Sequence, residues 1–455
     1  MYEDLKYLKV NLPEDILKLK CSGDFKEAIK LIDLQLQKDI TNAMRKRLEL
    51  EKHIICIIEK EYPYSFEEAF NILSDNVIDF KEEQLIKLKE ESSADWILVD
   101  GKVKFNESFY GNLIKTKPDI RERLKVKENE ELNIKKEQLL DDFIKNIKLK
   151  GNVSYYLHLK SSLKIKKQAE RINETIKVHV PVPKNSEQTK NINIISSSVE
   201  PKFIAPLHYP QRTIFFEEKL KENQEFSVEY SYENHLKYNE LNPNKVSEIQ
   251  PTFCLEELEP HIMFTPYIKE LAYEIIGDET NPLIKARKIY DYITTKIMYS
   301  YMRKYFTITN IPEYAALNLK GDCGVQALLF ITLCRLVGVP AKWQSGLYVT
   351  PYYVGCHDWA QFYIEPYGWL FADPSFGGSA YRKCNEEAWN FYFGNLDPFR
   401  MVAASEFQHE FNPPKKHLRY DPYDNQTGEV EYEDKGLVRE DFYVNFNLID
   451  IHEIN

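Results

Sequence analysis

The sequence predicts an α+β protein of four successive parts. These are a mainly helical N-terminal domain (1–150), an antiparallel β-sandwich (151–250), a core with one helix packed on an antiparallel sheet (251–400), and a C-terminal extension (401–455) packing on the core or the β-domain. Three observations carry this reading. Apolar residues recur at helical spacing in the first part and alternate with period two between residues 153 and 232. They return to helical spacing at Val325, Leu328, Leu329, Leu333 and Leu336, and two aromatic strands follow.

Pro13-Glu14-Asp15 opens the first helix; Ser22-Gly23-Asp24 ends it and caps the next, whose face is Phe25, Ile29, Ile32 and Leu36. Ile40 to Tyr62 continues as a longer charged helix. The pair resembles one solenoid hairpin, but no second copy stands at a fixed period. Asp100-Gly101 between Trp96–Val99 and Lys102–Phe105 signals a β-hairpin. Glu128 to Lys150 reads as a solvated helix leading out of the domain. This first part either braces the rest or docks a protein partner, and bracing is the plainer reading.

The runs Tyr155–Leu159, Ile176/Val178/Val180, Ile192–Ile194, Ile214–Phe216 and Phe226/Val228/Tyr230/Tyr232 have the regular spacing of a sandwich flanking a cleft. His158, His179 and His208 lack ligand spacing, so no metal is expected there. Pro266–Ile276 and Pro282–Met298 read as the helices that open the core.

Composition narrows the function. Net charge is −11 with no dense basic tract, which argues against nucleic acid as a partner. No run approaches ~18 apolar residues, so no membrane span is expected. The start, Met-Tyr-Glu-Asp-Leu-Lys, shows no charged-then-apolar leader. Seven cysteines without a Cys-x-x-Cys suggest neither a zinc ribbon nor a disulfide framework. The expectation is a cytoplasmic, reducing setting that keeps thiols free.

The chemistry concentrates between Gly321 and Gly378. Cys323 stands at the head of the apolar helix, where the dipole and backbone N–H groups favour a thiolate. Gly321 and Gly324 leave room for a carbonyl, and the Cys323 N–H suits an oxyanion. His357 opens one aromatic strand and Asp373 ends the next, so thiol, imidazole and carboxylate fit nucleophile, base and orienter. His357 lies eight residues before Glu365 and Asp373 five after Gly368, so facing one another across the turn requires a bulge or a flared end. Alone, each has a bland reading: a buried cysteine, which Cys334 fits well, a packed histidine, a turn aspartate.

The blocks Gly321-Asp322-Cys323, Arg335-Leu336-Val337-Gly338-Val339-Pro340-Ala341, His357-Asp358-Trp359 and Gly368-Trp369-Leu370-Phe371-Ala372-Asp373-Pro374 stand in order. Over roughly residues 260–400 the segment resembles the transglutaminase-like superfamily. The resemblance implies a papain-like transglutaminase core with Cys323 as nucleophile, His357 as base and Asp373 as orienter. Peptide N-glycanases are similar to this family but carry paired Cys-x-x-Cys zinc ligands, which this chain lacks. In relatives an upstream aromatic or amide side chain assists the oxyanion hole, a role open here to Tyr299 or Tyr301. Trp359 and Trp369 would wall the substrate cleft, or simply pack in the core. Asp322 and Asp358 read as caps or solvent-facing residues. Some animal transglutaminases use calcium, and Asp421–Glu431 gathers oxygen ligands around a glycine. Its spacing does not fit a twelve-residue helix-loop-helix loop, and a β-turn accounts for it, so neither a metal nor a cofactor is expected.

The expected reaction is attack by Cys323 on a protein or peptide amide to form a thioester. Water as acceptor makes a peptidase or amidase; an amine makes a cross-linking transglutaminase. A cytoplasmic setting favours water, because indiscriminate cross-linking would be harmful. A non-catalytic protein-binding scaffold is the alternative from another class.

Overall fold

The computed structural model describes residues 2–126 and 130–454. It is an α+β protein with several antiparallel sheets, as the periodicities predict. Pro13 precedes α1 (Glu14–Ser22), and Gly23, at φ 80°, closes it by donating to the Leu19 and Lys20 carbonyls before α2 (Phe25–Leu36) begins. A Cβ on Gly23 would lie 2.0 Å from the Leu98 carbonyl oxygen, so glycine alone lets this turn rest on the hairpin β1 (Trp96–Val99) and β2 (Lys102–Phe105). Thr41 caps α3 (Asn42–Glu61) by accepting from the Met44 N–H. After α4 (Phe109–Thr116), the charged α5 (Glu130–Lys150) leads to the sandwich. Its predicted start at Glu128 lies outside the described residues.

The N-terminal part has two cores. Leu5, Ile16, Leu48, Ile55 and, from α5, Ile147 join the large apolar cluster of the 251–400 core, whereas residues between Ala69 and Leu124 form their own. Glu61 at the end of α3 seals the seam, accepting from the Lys304 N–H of the core. Burial lifts its carboxyl to about 7 against the opposing pull of Lys304. A raised carboxyl contributes stability that is present below its unfolded value and is lost as pH rises through about 7. Glu61→Gln, which keeps the acceptor, is therefore expected to gain about 3 kcal/mol over wild type between pH ~4.5 and ~7.5, read as a pH-dependent difference in denaturant midpoints.

Strands β3 (Asn152–Ile165), β4 (Thr175–Pro181), β5 (Thr189–Ser197), β6 (Phe203–Ile204), β7 (Thr213–Lys219) and β8 (Glu225–Lys237) build the sandwich. The C-terminal segment completes both of its sheets. The order in one is β16 (Glu429–Tyr432), β4, β7, β6; in the other it is β17 (Phe442–Ile454), β3, β8, β5.

The core opens with α6 (Pro266–Ile276) and α7 (Pro282–Lys296), each with proline in its first turn and a side-chain cap, from Thr265 and Asn281. A short parallel pair, β9 (Met298–Tyr299) and β10 (Lys320–Gly321), then delivers the chain to α8 (Cys323–Leu336). The sheet that α8 packs on has the order β14 (Phe393–Gly394), β13 (Gly368–Ala372), β12 (Tyr353–Ile364), β11 (Ala341–Thr350), β15 (Arg400–Ala404), all antiparallel. Phe330 of α8 meets Phe362 of β12 edge to face at 5.7 Å. Leu347, Val349, Met401 and Ala403 share a cluster with sandwich residues such as Leu157 and Phe226, so this sheet is the common wall of core and sandwich. Among the described residues, no helix is long and apolar enough to cross a membrane.

Candidate active site

Asp322 caps α8, its Oδ1 accepting from the Val325 N–H at 3.1 Å. A Cβ on Gly324 would come 2.2 Å from the Tyr305 hydroxyl and 2.7 Å from Asp358 Oδ2, so the first turn is pressed between those two groups. The Cys323 thiol donates to Asp358 Oδ2 at 3.3 Å. Burial pushes this thiol well above its ordinary value, and the Asp358 and Asp322 carboxyls push it further; the Asp358 N–H works the other way. The thiolate expected at a helix head is thus reversed here. A helix end contributes about 0.3–1 kcal/mol, less than one pKa unit, which burial beside two carboxyls outweighs.

Next to Asp358 on β12, His357 turns to a different partner. Its Nε2 donates to Asp373 Oδ2 at 2.7 Å. The strand mismatch is absorbed because pairing stops at Ala360 and Ala372, and Asp373 stands one residue beyond as N-cap of α9 (Pro374–Arg382). Asp373 Oδ1 accepts from the Phe376 N–H and the Ser375 hydroxyl, each at 3.0 Å, which fixes the carboxylate plane toward the imidazole. Burial alone would raise Asp373, but His357 and Arg400 together hold it at about 2. Burial lowers His357 below its ordinary value, partly countered by Asp373, so the ring is neutral at neutral pH.

Sequence reasoning missed Arg400. It is 0% exposed on β15, with Nη1 2.9 Å from Asp373 Oδ2 in an ion pair, and Nη2 2.5 Å and Nε 3.1 Å from Asp397. Its guanidinium also lies over the Tyr348, Trp359 and Phe376 rings. Nothing in local spacing announces it, since the strand Arg-Met-Val-Ala-Ala reads as ordinary β.

Of the two candidate oxyanion donors, Tyr299 is the one whose phenol is pushed up, by burial first and then by Cys323 and Asp322. Tyr301 is 45% exposed, with Lys115 of α4 4.0 Å above its ring and its backbone clasped by the Asn112 side chain. Tyr305, unremarked in the sequence, donates to Asp322 Oδ1. Trp359 is 0% exposed, stacked on His357 at 6.0 Å and donating Nε1 to Gln344. It backs the imidazole and has no open face to a cleft. The structure does not bring Trp369 to the site: it pairs with Tyr363, six residues along β12 from His357, about 20 Å at ~3.3 Å per residue.

The expectation that Asp358 faces solvent is corrected. It is buried and raised well above its ordinary value, by burial first and then by Asp424, with which it shares a hydrogen bond. Asp424 comes from the tail, where Asp421 Oδ1 accepts from the Tyr423 and Asp424 N–H groups in an aspartate turn. From the same turn, Gln426 Nε2 donates to Asp358 Oδ1 at 2.6 Å and to the His357 carbonyl at 3.2 Å. Among the described residues, no group of three His, Cys, Asp or Glu side chains is placed to hold a metal ion.

Residues 269–374 match the family model described as Transglutaminase-like superfamily. The matched segment, less than half of the chain, contains Cys323, His357 and Asp373. No curated protein matches the chain. Among solved structures, one match is a provisionally named cysteine protease from Cytophaga hutchinsonii, 15% identical, covering 67% of this chain and 90% of that one with a TM-score of 0.37. Another is the periplasmic domain of TgpA from Pseudomonas aeruginosa, 11% identical, covering 54% of this chain and 95% of that one with a TM-score of 0.29.

Proposed function

We propose that the chain is a cysteine-dependent peptidase or amidase acting on protein or peptide amides. Cys323 serves as nucleophile, His357 as base and Asp373 as orienter. The observation that carries this reading is the His357–Asp373 pair, backed by Arg400, in a transglutaminase-like segment whose helix α8 begins at Cys323 and whose strand carries Asp358, the thiol's partner, next to His357. Nε2 is committed to Asp373, so Nδ1 is the nitrogen that would take the thiol proton. The sulfur then bonds to the amide carbon, the carbonyl oxygen becomes an oxyanion, and we assign the Tyr299 hydroxyl as the donor to it, a role supported by the electrostatic influence of Cys323 on that phenol. Collapse of this intermediate breaks the C–N bond; the imidazolium returns its proton to the leaving amine and a thioester remains. Water, losing a proton to His357, hydrolyses the thioester. We assign water rather than an amine as acceptor, in keeping with a cytoplasmic setting, which the seven free cysteines support.

A scaffold reading is favoured by one observation. Neighbouring strand residues leave on opposite faces, and here the thiol meets Asp358 while His357 keeps to Asp373. The deciding experiment incubates the protein with a glutamine-containing peptide library and a labelled primary amine. Wild type is expected to release ammonia or cut peptide bonds without incorporating label, and Cys323→Ala to do neither. Incorporated amine would make the chain a cross-linking transglutaminase. Equal behaviour of wild type and Cys323→Ala would leave the scaffold.

A further inference from the structure

The sulfur's partner in this structure is unexpected, and its surroundings explain why it is stable there. Asp358 accepts the thiol proton through Oδ2 at 3.3 Å, while Oδ1 is held by Gln426 Nε2 at 2.6 Å and the carboxyl hydrogen-bonds to Asp424. Asp424 is anchored in turn: the Ser345 hydroxyl of β11 donates to it, and its carbonyl accepts from the buried Arg419 guanidinium. Between them, Asn425 donates Nδ2 to the Arg212 and Ala403 carbonyls, so the segment is stitched to both sandwich and core. Asp358, Asp424, Asn425, Arg419 and Ser345 are buried while Cys323 and Gln426 are half-buried, and Asp424 to Gln426 come from sixty-six to sixty-eight positions beyond Asp358 in sequence.

We propose that Asp358, clamped by Asp424 and Gln426, is the group that holds the Cys323 thiol in a resting form, so that the C-terminal segment 419–428 governs when the sulfur reacts. This rests on the reading of Cys323 as nucleophile given above and adds its control. Asp358 touches the reacting atom; Asp424 and Gln426 act through it as positioning residues. The resting form is acidic on every side. Asp358 faces Asp322 and Cys323 at the head of α8, the Tyr299 and Tyr305 phenols, Asp424 with Asp421 behind it, and the Cys356 thiol on its own strand, itself beside Arg439. No cation is among the groups acting most strongly on Cys323, and both of its carboxyl neighbours oppose a thiolate. Anything that draws the tail away, whether an incoming substrate strand or a binding partner, frees the Asp358 carboxyl to leave the sulfur and exposes the thiol to His357.

The test needs no substrate. Iodoacetamide alkylation of Cys323 is followed by peptide mass spectrometry from about pH 6 to pH 10 in wild type, Asp358→Asn and Gln426→Ala, with the exposed Cys21 and Cys384 in the same digests as internal standards. Asp358→Asn is expected to lower the alkylation midpoint by about one pH unit or more, a tenfold faster reaction at neutral pH. Gln426→Ala, which removes one donor to the carboxyl, is expected to speed it about threefold in the same direction. Far-UV circular dichroism verifies that both variants are folded, and Gln426→Ala stands as the test if Asp358→Asn is not. Coincident pH profiles for wild type and the folded variants would overturn the proposal. Shifted alkylation in variants that turn over no amide would keep the latch and remove the proposed reaction; turnover with unmoved alkylation would do the reverse.

Discussion

Replacing Arg400 with methionine is expected to lower the free energy of unfolding by about 3–5 kcal/mol. The side chain is fully buried and neutralises two fully buried carboxylates, Asp373 at 2.9 Å and Asp397 at 2.5 Å. Methionine fills much of the volume and packs well against Tyr348, Trp359 and Phe376, so the loss comes from charge and not from a cavity. Two uncompensated negative charges in the core must then take up protons or admit water. Arg400→Lys keeps the charge but not the planar fork that spans both carboxylates, and should fall between wild type and methionine. Denaturant titration with unchanged m-values reads the difference. A loss under ~1 kcal/mol would mean that the two aspartates are satisfied without the guanidinium.

The second large effect falls on catalysis. Asp373→Asn is expected to cut kcat about a thousandfold to ten-thousandfold, because an amide presents its NH2 where the imidazole needs an acceptor and so favours the wrong tautomer. The carboxylate also supports protonation of His357, so its removal lowers the imidazole further and moves the corresponding limb of the pH–rate profile to lower pH. The same substitution has a stability signature of known sign. Ionised Asp373 contributes stability that is full above pH ~4 and is lost as pH falls through about 2. The gap in unfolding midpoint between wild type and Asp373→Asn should therefore close on acidification. A gap that persists unchanged at low pH would show that the carboxylate's charge is not what holds the site together.

The features legible in the sequence are those written locally. Cap, stripe and stop place α8 within a residue of its observed ends, and the aromatic alternation and turn place β12 and β13. The positions of Cys323, His357 and Asp373 on a helix head, a strand and a strand end followed from the same signals. What stayed hidden is written only in three dimensions. Arg400 belongs with Asp373 because β15 pairs β11, a register no nearby spacing specifies. Asp358 looked like a solvent-facing neighbour of the histidine because nothing near it in the chain announces Asp424 and Gln426. The thiolate expectation failed for a related reason: the dipole is a property of the helix alone, whereas the two opposing carboxyls arrive from its cap and from a strand, the latter held in turn by a distant tail. Trp369 failed because a motif gives sequence order, and six residues along a strand separate it from the imidazole.

The pairing of β17 with β3 has a consequence for how the molecule is made. Phe442 lies against Ile165, so one rim of the sandwich waits for a strand on the order of 280 residues downstream. At roughly 5–20 residues per second of synthesis, a nascent chain would carry that rim bare for about 15–60 s. During that interval its amides can pair with any extended peptide, including the same rim on a neighbouring polysome-bound copy. Yield of native protein should then depend on translation speed and crowding of nascent chains more than on the stability of the finished fold.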